Sequence, residues 1–239
     1  MSKQTPMLIC PARRMPTREA VANAWEDQGW DIMRVSNYWD SWPTNDREDV
    51  SCYGGIGFCT TVSERLKLKL VEPSLDHICE IDYKWRRRHI RMKRIDSLAS
   101  NDFPAFIKSR DYKLLPSAVY QSLDSFEYRS CEGLENLLVF VSEVVAFKAE
   151  ARALIREQEL VSIGPYHRED SSVPKGAERF IQDFLAENSV PEVCVVDIGL
   201  LNSGNWVLVE MNPVWAADPL RCNLETFVHC LRKASGRAD

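Results

Sequence analysis

Two apolar runs near the end of the chain, residues 193–200 (VCVVDIGL) and 206–211 (WVLVEM), constrain its fold more than any other feature. Both are strand-like, and Ser203 and Gly204 between them mark a turn, which predicts an antiparallel hairpin. Asp197 stands inside the first run, and Glu210 and Asn212 straddle Met211 at the end of the second. Because strand side chains alternate, Glu210 and Asn212 share one face of the sheet. A carboxylate in an apolar strand is expensive unless a cation compensates it. Spacing alone leaves two readings open. These residues are oxygen ligands for a magnesium ion whose shell is completed by phosphate oxygens, or they are ion-paired acids on a solvated face.

Upstream of the hairpin, residues 149–155 read as a strand with Glu150 and Arg152 on one side, and 159–163 as its return strand. Residues 137–147 (LLVFVSEVVAF) read as one strand; with Ser142 and Glu143 inside it, this run is too short and too polar to cross a membrane. Residues 103–109 predict a strand ending on Lys108, followed by a polar loop that carries Lys113 and a β-like run at 118–121. Helical spacing predicts helices over 172–188 and 223–233. The first third alternates: a strand at 7–10 closed by Pro11, a helix capped by Thr17 and ended by Gly29, and a strand at 31–35. The polar stretch 41–49 reads as a surface loop. Gly54, Gly55 and Gly57 suit a tight turn or a phosphate loop, and the turn is the more economical reading.

Residues 84–94 (KWRRRHIRMKR) put seven cations into eleven positions. As a helix they would carry Trp85, His89 and Met92 on one face and Arg87, Arg91 and Arg94 on another. The net charge of −5 argues against a nucleic-acid binder working through bulk electrostatics; a solvated basic face over a packed stripe is the simpler reading of the run, and a basic wall facing polyphosphate the sharper one. The eight cysteines include no C-x-x-C pair and the four histidines are scattered, which disfavours a zinc site. A core this large does not need disulfides, and the first residues lack the apolar segment of a secretory signal. Both point to a cytoplasmic protein with reduced thiols.

The order of these pieces resembles a known family. A lysine closing a strand (PAFIKS), the run LLVFVSEVVAF, the Glu-x-Arg of Glu150 and Arg152, VVDIGLL, and WVLVEMNP with Pro213 follow one another as in the ATP-grasp superfamily. The chain is most similar to the compact bacterial and phage clade named for two arginines and a lysine, with VEMNPVW at 209–215 as its closing motif. The resemblance covers roughly residues 83–220 and implies an α+β ATP-grasp fold. A small N-terminal α/β lobe over 1–75 would precede a nucleotide-binding region over 76–239.

Residue by residue, the resemblance implies that Lys108 touches the α- and β-phosphates of ATP and that Lys113 approaches the β/γ end. Glu143 would lie at the hinge beside adenine. Arg152 would bind phosphate or steady the charged intermediate with Glu150 beside it, and Arg88 would be a further phosphate-facing arginine. Asp197, Glu210 and Asn212 would hold one or two Mg2+ ions. The loop 109–117 departs from the family in having no glycine, which shifts phosphate contacts onto side chains such as Lys113. The implied activity is ligation of a small-molecule or peptide carboxylate to an amine through an acyl phosphate. The alternative is a nucleotide-binding module that works by engaging a protein partner.

Overall fold

The computed structural model describes residues 5–37, 42, 47, 49–111, 114–130, 133–167 and 169–237. The chain opens as the apolar run at its start requires: β1 (Met7–Pro11) is buried and runs parallel to both β2 (Asp31–Val35) and β3 (Val50–Cys52), in the order β2-β1-β3. The helix between β1 and β2, α1 (Pro16–Glu26), starts one residue before the expected cap. Pro16 sits in the first turn, where its fixed φ suits a helix and its missing N–H costs nothing. Thr17 therefore does not cap; its hydroxyl donates to Asp218 at 3.1 Å. After β3 the glycines make a strand-to-helix turn into α2 (Ile56–Leu66), with Gly55 as cap. A Cβ on Gly54 would come within 2.7 Å of the Phe58 ring, so close packing explains that glycine. A short β4 (Leu68–Leu70) follows.

The basic segment is not one helix. Asp82 accepts from the Lys84 N–H and starts a single turn, α4 (Tyr83–Arg86), which follows another, α3 (His77–Glu80). Arg87 then adopts a left-handed conformation, φ 44°, and stops it. The rest of the run is a strand, β5 (Ile90–Arg94), paired antiparallel with β8 (Leu138–Ser142). Three of the run's seven cations are paired with nearby acids. Arg91 and Lys93 share the buried Asp102 at 3.3 and 2.7 Å, and Arg94 grips Asp96. With β6 (Ala105–Ser109) and β7 (Ala118–Tyr120) these strands form an antiparallel sheet in the order β5-β8-β6-β7. One face packs Ile107, Val139 and Val141 with Ile95, Leu98, Leu115 and Phe126 into a core.

The run LLVFVSEVVAF is likewise divided. It leaves the ladder after Ser142, where the Glu143 N–H donates to the His89 carbonyl and the Glu143 carboxylate accepts from the His89 N–H. The chain resumes as β9 (Phe147–Arg156), paired with β10 (Glu159–Pro165). The helix α5 (Ala177–Glu187) is shorter than the expected span because Gly176 is left-handed at its start. The expected hairpin is formed by β11 (Val193–Leu201) and β12 (Trp206–Asn212), completing a sheet in the order β10-β9-β11-β12. Asn223 caps α6 (Leu224–Lys233) by accepting from the Thr226 N–H, and β13 (Ser235–Arg237) returns to pair with β4.

Two compact units result: Met1–Pro73 with Ala149–Ile198 and Glu210–Asp239, and Ser74–Lys148 with Gly199–Val209. The core of the first unit joins Leu8, Ile9 and Trp25 to Leu154, Val195, Trp215, Phe227 and Leu231. No described helix is long and apolar enough to cross a membrane.

Candidate functional site

Alternation along β9 puts Glu150 and Arg152 on one face, and alternation along β12 does the same for Glu210 and Asn212. Arg152 and Asp197, only 6% and 2% exposed, form a two-pronged ion pair: Nε donates to Oδ1 at 2.7 Å and Nη2 to Oδ2 at 2.6 Å. The remaining terminal nitrogen donates to the Asp218 carbonyl at 2.6 Å, and the guanidinium lies 5.2 Å from the Tyr166 ring centre. The Asn212 amide bridges the two acids, donating to Asp197 at 3.3 Å and to Glu210 at 2.8 Å. Glu150 contacts His167 at 3.1 Å. Four of the residues singled out from sequence thus form one hydrogen-bonded group, with Glu150 on the same strand as Arg152.

Burial pushes the Asp197 carboxyl up to about 6; Arg152 pulls it down, while Glu210 and Glu150 push it further up. Burial works against the charge of Arg152, but its hydrogen bonds to Asp197 and the surrounding negative charge more than offset this, so it stays protonated. The Tyr166 hydroxyl is raised by burial and by Asp197. Arg152, Glu210 and Glu150 thus all act on the Asp197 carboxyl. No three His, Cys, Asp or Glu side chains form a ready-made metal group among the described residues. Two carboxylates and an amide nevertheless fit magnesium, which is commonly bound by one or two carboxylates with water and substrate phosphates completing its octahedron.

The other predicted residues belong to the second unit or fall outside the described residues. Lys108 stands on β6 opposite Phe140 of β8. Glu143 is engaged with His89, as described above. Arg88 is buried, and its guanidinium donates to the carbonyls of Arg86, Leu208 and Val209 at 3.1, 2.7 and 3.0 Å. Lys113 lies outside the described residues. Sequence reasoning missed Asp218 and Tyr166, which complete the surroundings of Arg152. Asp218 sits in the irregular stretch after the closing motif, and no periodicity marks it. Tyr166 follows directly on the strand that pairs with β9, so the expected hairpin could have pointed to it.

A family model for an ATP-grasp domain, family 2 of the clade named for two arginines and a lysine, matches residues 85–230. None of the curated proteins compared matches the sequence significantly. Among solved structures, a RimK domain ATP-grasp protein from Sphaerobacter thermophilus is similar with a TM-score of 0.59 at 13% identity, over 95% of this chain and 96% of that one. The D-alanine–D-alanine ligase of Bacillus anthracis, complexed with ATP, gives 0.59 at 12% identity over 98% and 97%. The ATP-grasp ligase PsnB, complexed with a phosphomimetic variant of its minimal precursor, Mg and ADP, gives 0.53 at 9% identity over 97% and 99%. At such identities these likenesses concern the fold.

Proposed function

The chain belongs to the ATP-grasp superfamily, in family 2 of its two-arginine-and-lysine clade, and on that premise we propose that it is an ATP- and magnesium-dependent ligase that joins a carboxylate to an amine through an acyl phosphate. The observation that carries the reading is the hydrogen-bonded group in which Asn212 joins the Glu210 carboxylate to the buried Arg152–Asp197 pair. Phosphoryl transfer asks little covalent chemistry of a protein. It asks for positioning and for neutralisation of charge on the transferred group. Bound magnesium would supply Lewis-acid neutralisation of the phosphate oxygens, held by Asp197, Glu210 and Asn212.

Arg152 orients Asp197 through both carboxylate oxygens and keeps a fixed positive charge beside the site. Lys108 is assigned to the α- and β-phosphates, Lys113 to the β/γ end, and Glu143 to the hinge beside adenine. Arg88 is assigned to the same phosphate-facing group; its bonds to Leu208 and Val209 also steady the strand that leads into Glu210. Glu150 supports Arg152 from the same strand. Residues 1–75 would serve as the lobe preceding the nucleotide-binding region. The related proteins, one named for joining D-alanine to D-alanine and the other a ligase complexed with a variant of its minimal precursor, favour a small-molecule or peptide carboxylate as substrate.

The test is the melting temperature against ATP concentration, with and without magnesium, for wild type and Lys108→Ala. At about a hundredfold excess over Kd a single-site ligand adds about 2.7 kcal/mol. In a chain of this size that amounts to roughly 5–10 °C. A magnesium-dependent rise, lost in the variant, is expected. Absence of any rise in the wild type removes the nucleotide site and the ligase with it.

A further inference from the structure

One cation in the first turn of α1 is unspent. Arg18 occupies the third position of α1, in helical register with Val21, Ala22 and Trp25, the buried residues of that helix. It therefore continues the core-facing stripe and reaches the end of the parallel sheet where β1 and β3 finish. Its charge is felt there. Burial pushes the Cys10 thiol and the Tyr53 hydroxyl above their ordinary values, and Arg18 pulls both the other way. The Tyr53 hydroxyl donates to the Ala217 carbonyl at 3.0 Å and also feels Asp218 and Arg152. Arg18 and Arg152 thus both act on Tyr53, beside residues 215–218. That segment is tied to the end of β3 and the start of α1 by Gly54 N–H to the Trp215 carbonyl at 3.1 Å and by Thr17 to Asp218.

The two arginines differ in one respect. Arg152 spends its donors on Asp197 and Asp218, whereas Arg18, half buried, has no hydrogen-bond or ion-pair partner among the described residues. Arg13, in the stretch that leads from β1 into α1, is exposed and equally without one among the described residues. A partly desolvated guanidinium without a partner favours an anion, and its planar fork suits a carboxylate. Two large apolar side chains flank this edge in the open, Met15 at 45% and Ile56 at 42% exposure. Nothing stands within 4 Å of a Cβ on Gly55 or Gly57, so the ground beside Ile56 is clear. The crevice beyond the carboxyl ends of parallel strands, where the order reverses about β1, is the usual ligand position in such sheets.

We infer that Arg18, with Arg13, binds the carboxylate of the acid substrate, and that Met15 and Ile56 select an apolar group next to that carboxylate. The site is distinct from the Arg152–Asp197 pair but opens beside it, as delivery of an acyl oxygen to that pair requires. Identifying the anion as the acid substrate rests on the ligase reading; the existence of the site does not.

The probes are N-acetyl-L-leucine, its uncharged amide N-acetyl-L-leucinamide, and N-acetylglycine, titrated calorimetrically into the full chain up to about 10 mM. The acid is expected to bind at least about tenfold more tightly than the amide, the scale of one charge-assisted hydrogen bond. N-acetylglycine should bind more weakly than N-acetyl-L-leucine. Arg18→Gln should erase the preference for acid over amide, and Ile56→Asp the preference for leucine over glycine. Both variants should keep the wild-type melting shift with magnesium and ATP, which shows that they are folded. Equal binding of acid and amide, no binding of either, or an unchanged preference in Arg18→Gln overturns the site. A carboxylate preference without any magnesium–ATP shift would instead fell the ligase reading and leave the anion site standing.

Discussion

At the scale of single residues, the Arg152–Asp197 pair shows how a buried ion pair can be costly to its own fold. Two buried charges are compensated by close geometry, and removing one partner leaves the other uncompensated. Arg152→Met should therefore destabilise the protein by about 3–5 kcal/mol at pH 8. The loss should depend on pH in a definite sense. Asp197 already holds its proton more tightly in the folded chain, at about 6 against an ordinary 3.8. Its favourable contribution is present below the ordinary value and fades as pH rises through about 6. Without Arg152 the carboxyl moves higher still, so at pH 5 it is neutral and the variant loses less than at pH 8. Urea unfolding at the two pH values checks this, and an equal loss at both would contradict the role given to Arg152. The residues of this pair were visible in the sequence because a charge inside an apolar strand is conspicuous. Asp218, Tyr166 and Arg18 were not, since each acts through where the chain brings it and not through any pattern around it.

At the scale of elements, periodicity was informative where an element buries one face and misleading where side chains bond to backbone. The helix at α6 and the hairpin of β11 and β12 follow from their apolar spacing and caps. The basic segment defeated the same reasoning because a left-handed Arg87 ends its helical turn after Arg86, and pairing with β8 then imposes a strand. The run LLVFVSEVVAF was divided by the mutual bonds of Glu143 and His89, which no hydrophobic pattern records. A similar constraint sits at β10. Gly164 pairs with Arg152, and a Cβ there would come within 2.6 Å of the backbone carbonyl of Arg221. Backbone cannot yield as a side-chain tip can, so Gly164→Ala should cost about 1–3 kcal/mol by overpacking. Equilibrium unfolding would measure it, and a loss within experimental error would show that the 221 segment gives way.

At the scale of the molecule, the first unit is assembled from both ends of the sequence. Residues 1–73 supply the parallel sheet, and 149–198 and 210–239 supply much of what packs on it. The joins are specific. Ser51 donates to the Arg232 carbonyl, the Cys52 N–H to Ser235, and the Val71 N–H to the Ala234 carbonyl, while β4 and β13 pair as strands. Leu8, Ile9, Trp25 and Val50 share one core with Phe227, Val228 and Leu231. Cutting the chain at 75 would expose the inner face of α6 and strip β13 of its partner. Buried apolar area is worth about 25 cal/mol per Å2, and a domain has only about 5–15 kcal/mol of net stability to lose. Residues 76–239 expressed alone should therefore show no cooperative unfolding of the α6 region. Amide exchange in α6 should be fast in that fragment and slow in the full chain. A fragment with a sigmoidal melt and protected α6 amides would mean that the ATP-grasp portion carries a sufficient core of its own, and that the N-terminal sheet is an addition to it.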